Sequence, residues 1–258
     1  KNTKSKEGRA QRVQKAVIPA AGYGTRFLPA TKAVPKEMLP VVDRPAIQYI
    51  VEEAVASGIP DILIITGRGK QTMEDHFDRN LELNEHLRKQ GKEKLVEELA
   101  RIEDMAEIHY LRQKEALGLG HTVLCAEKFV GDEPFALLLG DDLVKSRVPA
   151  LKQLLEVHDS LGGSVIAVEE VPRDQVSHYG IVKGNYSGNS KTFRIEEMVE
   201  KPPAEKAPSR FAVLGRYIIE PEIFPIMRKT PFGRGNELQI TDGLNTLCRQ
   251  RPVHARII

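Results

Sequence analysis

Ala16-Val17-Ile18, followed by Ala20-Ala21-Gly22-Tyr23-Gly24-Thr25-Arg26-Phe27-Leu28-Pro29, is the stretch on which the reading of this chain turns. Three apolar residues make a short buried-strand pattern, and a Gly-x-Gly turn comes directly after. Gly22 and Gly24 let backbone N–H groups approach a phosphate closely, which a Cβ would hinder. Arg26 adds a planar fork of donors that matches phosphate oxygens. The string runs on through Pro35-Lys36-Glu37-Met38-Leu39-Pro40, where Lys36 adds a compact positive charge. Two other phosphate motifs are excluded. G-x-G-x-x-G needs glycine where Phe27 stands, and no Gly-Lys-Ser/Thr follows to make a Walker A loop.

Outward from this turn, short apolar runs alternate with helical patterns. Ile62–Ile65, Ile108–Leu111, Phe135–Leu139 and Val165–Val168 read as further strands. Each lacks strict alternation, as expected where both faces are covered. Ile47, Ile50, Val51, Ala54 and Val55 recur at helical spacing, with Pro45 opening that helix and Gly58 closing it. Such strand–helix–strand units imply a parallel sheet with right-handed crossovers. Residues 81–105 break the rhythm. They predict two charged helices interrupted at Gly91, with Leu83, Leu87, Leu95, Leu99 and Ile102 as one buried stripe; a dimer arm is the alternative. From Gly162 the pattern turns β-rich. Tyr179–Lys183 and Thr192–Val199 read as paired strands, Pro202-Pro203-Ala204 with Pro208 as a surface loop, and Asn236–Arg249 as a late helix.

Composition narrows the class. The 258 residues suffice for one large α/β domain or two small ones, and a formal charge of +2 gives no bulk attraction to nucleic acid or membrane. No nucleic-acid or membrane partner is therefore expected. Any anion site must come from a few well-placed basic residues. Two distant cysteines, Cys125 and Cys248, fit a reduced cytoplasmic protein better than a disulfide scaffold. Residues 1–12 are polar and basic with no apolar run behind them, so they read as a disordered tail rather than a secretory signal.

Leu139-Gly140-Asp141-Asp142-Leu143 ends an apolar strand. A carboxylate at a strand's C-terminal end sits where parallel sheets bind ligands. Magnesium takes a few carboxylates plus phosphate oxygens and water. The seven histidines show no His-x-His pair or metal-ligand spacing, which argues against transferases that work through a covalent histidine.

The string Ala-Ala-Gly-x-Gly-Thr-Arg-x-x-Pro with Pro-Lys-x-Met-Leu-Pro resembles the signature of bacterial UTP–glucose-1-phosphate uridylyltransferases, within the sugar-nucleotide pyrophosphorylases. The similarity runs from about Val13 to Ile258. It implies an α/β fold: a Rossmann-like, mostly parallel sheet flanked by helices, with an additional β-rich sugar-binding part. It implies a single nucleotidyltransferase domain over 13–258, of which 13–161 mainly bind nucleotide and 162–258 mainly sugar phosphate. The implied reaction is Mg²⁺-dependent formation of UDP-glucose and pyrophosphate from UTP and glucose 1-phosphate, in a cytoplasmic homodimer or homotetramer.

By the same resemblance Arg26, Lys36 and Asp141 are catalytic, with Asp141 the metal ligand. Ala20, Ala21, Gly22, Gly24 and Thr25 meet the nucleotide, and Gln113 and Gly118 of Gln113-Lys114-Glu115-Ala116-Leu117-Gly118-Leu119-Gly120-His121 read the pyrimidine edge. Gly180 offers its backbone to the sugar, Glu200 accepts from sugar hydroxyls, and Lys201 holds the phosphate. Asp242, in Gly233-Arg234-Gly235-Asn236-Glu237-Leu238-Gln239-Ile240-Thr241-Asp242, either supports the metal site or supports its own loop. Relatives continue past the position of Ile258 through an Arg-Tyr-Asp segment whose aspartate can bind a second metal; that stretch is expected and not in this sequence. Alternatives are thymidylyl transfer, another sugar 1-phosphate, or a nucleotide-binding homologue without catalysis.

Overall fold

A computed structural model of the chain describes residues 11–258. The expected tail over 1–12 lies outside them except for Gln11 and Arg12, both exposed. The first half of the sheet is four parallel strands, β1 (Lys15–Ala20), β4 (Asp61–Thr66), β5 (Glu107–Arg112) and β6 (Phe135–Leu138), in the order β5-β4-β1-β6. A two-residue hairpin, β2 (Pro40–Val41) and β3 (Arg44–Pro45), stands apart.

The lack of alternation in the sequence now has its cause. Val17, Leu63, Ile65 and Leu137 face one hydrophobic core; Ala16, Ile18, Ile62, Ile64, Ala136 and Leu138 face the other. Both faces of β1, β4 and β6 are buried, so their positions favour apolar residues, whereas β5, at the edge of the sheet, leaves Glu107, His109 and Arg112 exposed. The second core is closed by α1 (Ala46–Ala56) through Ile47, Ile50, Val51 and Ala54, and by Leu151, Leu154 and Val157 of the helix Ala150–Leu161. The Gly58 stop holds: Gly58 takes φ +89°, and its N–H and that of Ile59 return to the carbonyls of Val55 and Ala54. That pair of bonds is the αL helix termination glycine permits.

The second half carries β7 (Ser164–Glu170), β8 (Gly180–Gly184), β9 (Thr192–Glu200), β10 (Phe211–Ile219) and β11 (Val253–Ile257), and the sheet continues β6-β10-β7-β11-β9-β8. β10 runs antiparallel to β6 and β7, and its first residues also pair with Ile181 and Val182 of β8. The far edge thus returns onto β10, closing β10-β7-β11-β9-β8 into a ring. Among the described strands, β9 and β10 oppose the direction the other seven share, so the sheet is mixed: four pairings are parallel and five, all made by β9 or β10, are antiparallel.

Two expectations are corrected. The helical pair forms, as α3 (Leu81–Lys89) and α4 (Glu93–Glu103), after a short α2 (Gln71–Phe77). Its stripe is not the one read from the leucines, because Leu83 and Leu95 are exposed while Leu87 and Val96 are buried. Val96 falls on the inner face of α4, and Leu95, about 100° away around the helix, is turned outward. The late helix starts at Ile240, not Asn236. Gly235 and Asn236 have positive φ, and Leu238 is held extended by bonds to the Leu117 carbonyl and the Gly120 N–H, 2.8 Å each.

A charged side chain is sealed into the central sheet. Arg216, in the otherwise apolar β10, is fully buried. Its Nε and Nη2 lie 3.0 and 2.9 Å from Glu53 Oε2 on α1, and Nη2 also donates to the Asp142 carbonyl at 2.7 Å. Glu53 Oε1 accepts the Leu151 N–H at 3.0 Å. A guanidinium thus ties α1, β10, the next helix and the turn after β6. Removing one partner strands the other charge in a low dielectric. Arg216→Ala is expected to lower unfolding free energy by about 3–5 kcal/mol. Urea denaturation followed by circular dichroism checks this, and an unchanged midpoint contradicts it.

Candidate active site

The loops at the C-terminal ends of the parallel strands converge. β1 leads into the glycine turn, β4 into Gly67–Lys70, β5 into Gln113 and β6 into Gly140–Asp142. Strand order reverses beside β1, since β4 lies on one side and β6 on the other, and open α/β sheets bind ligands at that switch point. A cavity of about 450 Å³ opens there. Ala21, Gly22, Gly24, Thr25, Arg26, Lys36, Gln113, Gly118 and Asp141 all line it. Ala20 ends β1, buried in the core beneath the loop. Gly67 comes so close that a Cβ there would sit 2.7 Å from the Ala21 carbonyl oxygen.

Charge is concentrated at one point of this cavity. Lys36 Nζ lies 2.7 Å from Asp141 Oδ2, and Arg26 Nη2 lies 3.5 Å from the same oxygen. Gly24 makes the approach possible. It adopts φ +67°, and a Cβ would stand 3.1 Å from that of Lys36. The Gly24 carbonyl accepts from Thr31 Oγ1 at 2.7 Å, which pins the turn. Arg26 is 83% exposed, so its pairing contributes little to folding, and its guanidinium remains available to an incoming anion.

Beneath this cluster sits a second, dry ion pair. Lys70 Nζ is 2.9 and 2.7 Å from the two carboxylate oxygens of Glu37, and both side chains are buried. Burial pushes the Glu37 carboxyl up and the Lys70 ammonium down, while each partner pulls the other back toward its charged form. Glu37 also packs on the chain at Gly140, where a Cβ would be 3.5 Å from its Cγ. The pair thus underlies both Lys36 and the Asp141 turn. Burial, and then the neighbouring Asp141, raise the Asp142 carboxyl.

Among the described residues no group of three or more His, Cys, Asp or Glu side chains is placed to hold a metal ion. The chain instead offers Asp141, a partly exposed carboxylate beside Lys36 and Arg26 in the glycine-lined cavity. That donor set fits a Mg²⁺ ion completed by phosphate oxygens and water rather than a protein cage.

At the other wall Gln113 follows β5, its N–H bonded to the Thr66 carbonyl at 2.9 Å. Gly118 precedes α5 (Leu119–Cys125) with φ +94°, and a Cβ there would clash with Glu237 Cβ at 2.7 Å and the Leu238 carbonyl at 2.9 Å.

Gly180, Glu200 and Lys201 meet where β8 and β9 pair, Gly180 opposite Glu200. Glu200 Oε2 accepts from Thr241 Oγ1 at 2.6 Å, and Oε1 lies 3.4 Å from Lys201 Nζ. Lys201 itself has φ +43°, and its N–H donates to the Tyr179 carbonyl. None of the three lines the cavity at the glycine turn. Asp242 lies on this side: its Oδ2 would be 3.0 Å from a Cβ on Gly233, burial and then Glu200 raise its carboxyl, and it lines a separate depression of about 510 Å³ with Glu222 and Asn245.

Sequence reasoning missed Lys70, Gly67, Thr241 and the Glu53–Arg216 pair, and left Glu37 without a role. A lone arginine inside the apolar run Phe211–Ile219 was the available signal, since an unpaired charge is not tolerated there. Nothing local marks Lys70.

A strand-end crevice with a glycine turn, two cations and one carboxylate defines an α/β protein with a charged cleft at the switch point of its sheet. The nucleotidyl transferase family profile matches residues 15–258. The UTP–glucose-1-phosphate uridylyltransferase YngB of Bacillus subtilis is 57% identical over 249 residues, covering 96% of this chain and 83% of that protein. A further UTP–glucose-1-phosphate uridylyltransferase of the same organism is 50% identical over 245 residues, covering 95% and 84%. The crystal structure of a UDP-glucose pyrophosphorylase complexed with UDP-glucose matches with a TM-score of 0.86 at 43% identity, covering 95% of this chain and 90% of that one. The UTP-bound UGPase from Acinetobacter baumannii matches at 0.88 and 42%, covering 95% and 86%. The chain belongs to the nucleotidyl transferase family.

The buried pair yields a double-mutant test. Glu37→Gln alone and Lys70→Met alone each leave one charge unpaired and are expected to destabilise by about 3–5 kcal/mol. The combined variant removes both charges and should lose much less than the sum of the two. Urea midpoints that simply add would show that the two side chains act independently.

Proposed function

We propose that this chain transfers the uridylyl group of UTP to glucose 1-phosphate, forming UDP-glucose and releasing pyrophosphate. The observation that carries the reading is the convergence of Lys36 and Arg26 on Asp141 in the glycine-lined cavity. The relatives' names, at 50–57% identity over nearly the whole chain, support the same reaction.

An oxygen of the sugar phosphate attacks the α-phosphorus in line. The new P–O bond forms as the α–β bond breaks, and pyrophosphate departs with the electron pair. The attacking phosphate is already largely ionised at neutral pH, so no general base is required. The difficulty is electrostatic. Each like-charged pair about 4 Å apart repels by about 4 kcal/mol at an effective dielectric near 20. Lys36 and Arg26 offset that repulsion at the triphosphate, and Lys201 offsets it at the sugar phosphate. Asp141 would hold the Mg²⁺ ion, which supplies Lewis-acid polarisation and charge neutralisation at the phosphates when bound. Gly22 and Gly24 let backbone N–H groups of the turn reach the phosphates, and Thr25 extends that contact. Ala20 and Ala21, with Gln113 and Gly118, hold the base.

Gly180 and Glu200 bind sugar hydroxyls, the carboxylate oriented by Thr241. For Asp242 the contacts with Gly233 and Glu200 favour support of the 233–242 segment over a place on the metal. The reading treats 13–258 as one domain, with 13–161 mainly for nucleotide and 162–258 mainly for sugar phosphate. Homodimeric or homotetrameric assembly in the cytoplasm completes it. Both cysteines are free, and among the described residues no helix is long and apolar enough to cross a membrane.

Pyrophosphate release with UTP, glucose 1-phosphate and Mg²⁺ tests the proposal directly. Lys36→Ala and Asp141→Ala should each lower kcat by at least about a hundredfold while circular dichroism stays native. Wild-type turnover in either variant removes that residue from the chemistry. Lys201→Ala should raise the KM for glucose 1-phosphate about tenfold or more, the scale of one charge-assisted hydrogen bond, with UTP affinity little changed. Faster turnover of dTTP than UTP would favour thymidylyl transfer instead.

A further inference from the structure

A second carboxylate lines the nucleotide cavity and stays out of the charge cluster at Asp141. Glu237 borders the cavity on the wall made by Gln113, Ala116 and Gly118, and among the described residues no Lys, Arg or His pairs with it. Its place is fixed by the backbone. Glu237 is extended, with φ −113° and ψ 148°; its carbonyl accepts the Gly233 N–H at 2.9 Å, and the Leu238 N–H after it donates to the Leu117 carbonyl. Successive extended residues point to opposite faces. Leu238 enters the hydrophobic core, so Glu237 is turned to the cavity, with its Cβ packed over Gly118. Gln239 Nε2 lies 3.4 Å from Oε2, and among the described residues nothing engages Oε1.

An ionised carboxylate only accepts hydrogen bonds, at about four lone-pair sites. In this cavity it can be satisfied by a metal ion, a base N–H or a hydroxyl. No group of three metal-ligating side chains includes it among the described residues. Phosphate oxygens repel it. In the functional reading above, Gln113 and Gly118 already take the edge of the base. The part of a nucleoside triphosphate left to donate is the ribose. We propose that Glu237 accepts from the ribose 2′-hydroxyl and makes the site select ribonucleotides over deoxyribonucleotides. The proposal rests on that functional reading, in which the base lies against Gln113 and Gly118.

An acidic side chain on a ribose hydroxyl is also how doubly wound dinucleotide sites hold their sugar. Glu237 is exposed to solvent, so it is the nucleotide that takes water from it. A ribonucleotide replaces that water with a hydroxyl donor. A deoxyribonucleotide sets C–H against the carboxylate and returns nothing, and polar groups left unpaired in this way discriminate most strongly.

The test compares UTP with dUTP, using glucose 1-phosphate as acceptor, in wild type, Glu237→Gln and Glu237→Ala. The wild type should prefer UTP by about tenfold or more in kcat/KM, the scale of one hydrogen bond to a charged group. Glu237→Ala keeps the Cβ that packs over Gly118, loses the carboxylate and should abolish the preference. Glu237→Gln keeps a carbonyl acceptor without the charge and should fall between the two. Folded variants that keep the wild-type ratio overturn the proposal, even where their Mg²⁺ requirement rises. Equal impairment with both nucleotides, the mark of a base contact or a purely structural role, overturns it too. So does a wild-type enzyme that uses UTP and dUTP alike. Should the wild type transfer neither nucleotide, the functional reading fails on its own. Equilibrium dialysis of UTP against dUTP then decides the role of Glu237, and equal binding, or none, overturns it.

Discussion

An ammonium group 2.7 Å from a carboxylate, joining two loops 105 residues apart, is the contact that the architecture exists to arrange. Lys36 and Asp141 reach each other because β1 and β6 are parallel neighbours in register, Lys15 opposite Phe135 and Val17 opposite Leu137. Their C-terminal ends therefore finish side by side. The chain after β1 must then double back through short 3-10 turns at Thr25–Phe27, Ala30–Lys32 and Lys36–Met38 to bring Lys36 home. Without phosphate present, Asp141 is the anion that balances Lys36 and Arg26. A polyphosphate entering the cavity would compete for the same two cations and leave the carboxylate facing outward.

Two buried ion pairs bracket that contact, and neither is explained by stability alone. Desolvating a carboxylate and an ammonium costs several kcal/mol per ion, and a well-packed apolar substitute is often as stable. What an apolar substitute lacks is direction. Arg216 donates to the Asp142 carbonyl while Glu53 holds the guanidinium in place, so the turn carrying Asp141 is fixed from below. Glu37 and Lys70 do the corresponding work for the stretch carrying Lys36. A charged hydrogen bond tolerates little angular error. These pairs give up part of the gain from hydrophobic burial in exchange for a fixed geometry at the two loops that follow β1 and β6.

Much of this was legible in the sequence, and the limits are instructive. The glycine turn announced itself because backbone approach demands glycine at fixed offsets, and Asp141 because it ends an apolar run. The αL stop at Gly58 was readable for the same local reason. The start of the late helix was not, since Leu238 is held extended by a loop 120 residues earlier, and no residue near Asn236 encodes that partner. The α3–α4 stripe was misread because leucine spacing alone cannot say where a helix begins, and one residue of phase moved burial from Leu95 to Val96. Lys70 and Glu53 are long-range partners whose charges look like ordinary surface residues until the strands are ordered. Gly180, Glu200 and Lys201 became readable only through resemblance, as their common position depends on the β8–β9 register.

The two halves of the site do not share one cavity, yet they are tied through five residues. Glu237 meets Gly118, Leu238 exchanges hydrogen bonds with Leu117 and Gly120, and Thr241 holds Glu200. Leu238 and Gln239 are extended and the helix takes over at Ile240, so Leu238 faces the 117–120 loop while Thr241, in the first turn, faces Glu200. A helix beginning at Asn236 would have turned Leu238 off that loop. The late start of the helix thus follows from the two hydrogen bonds that hold Leu238 extended. One short segment, with Gly235 at positive φ at its outer end, thereby touches both the loop before α5 and the β8–β9 pair.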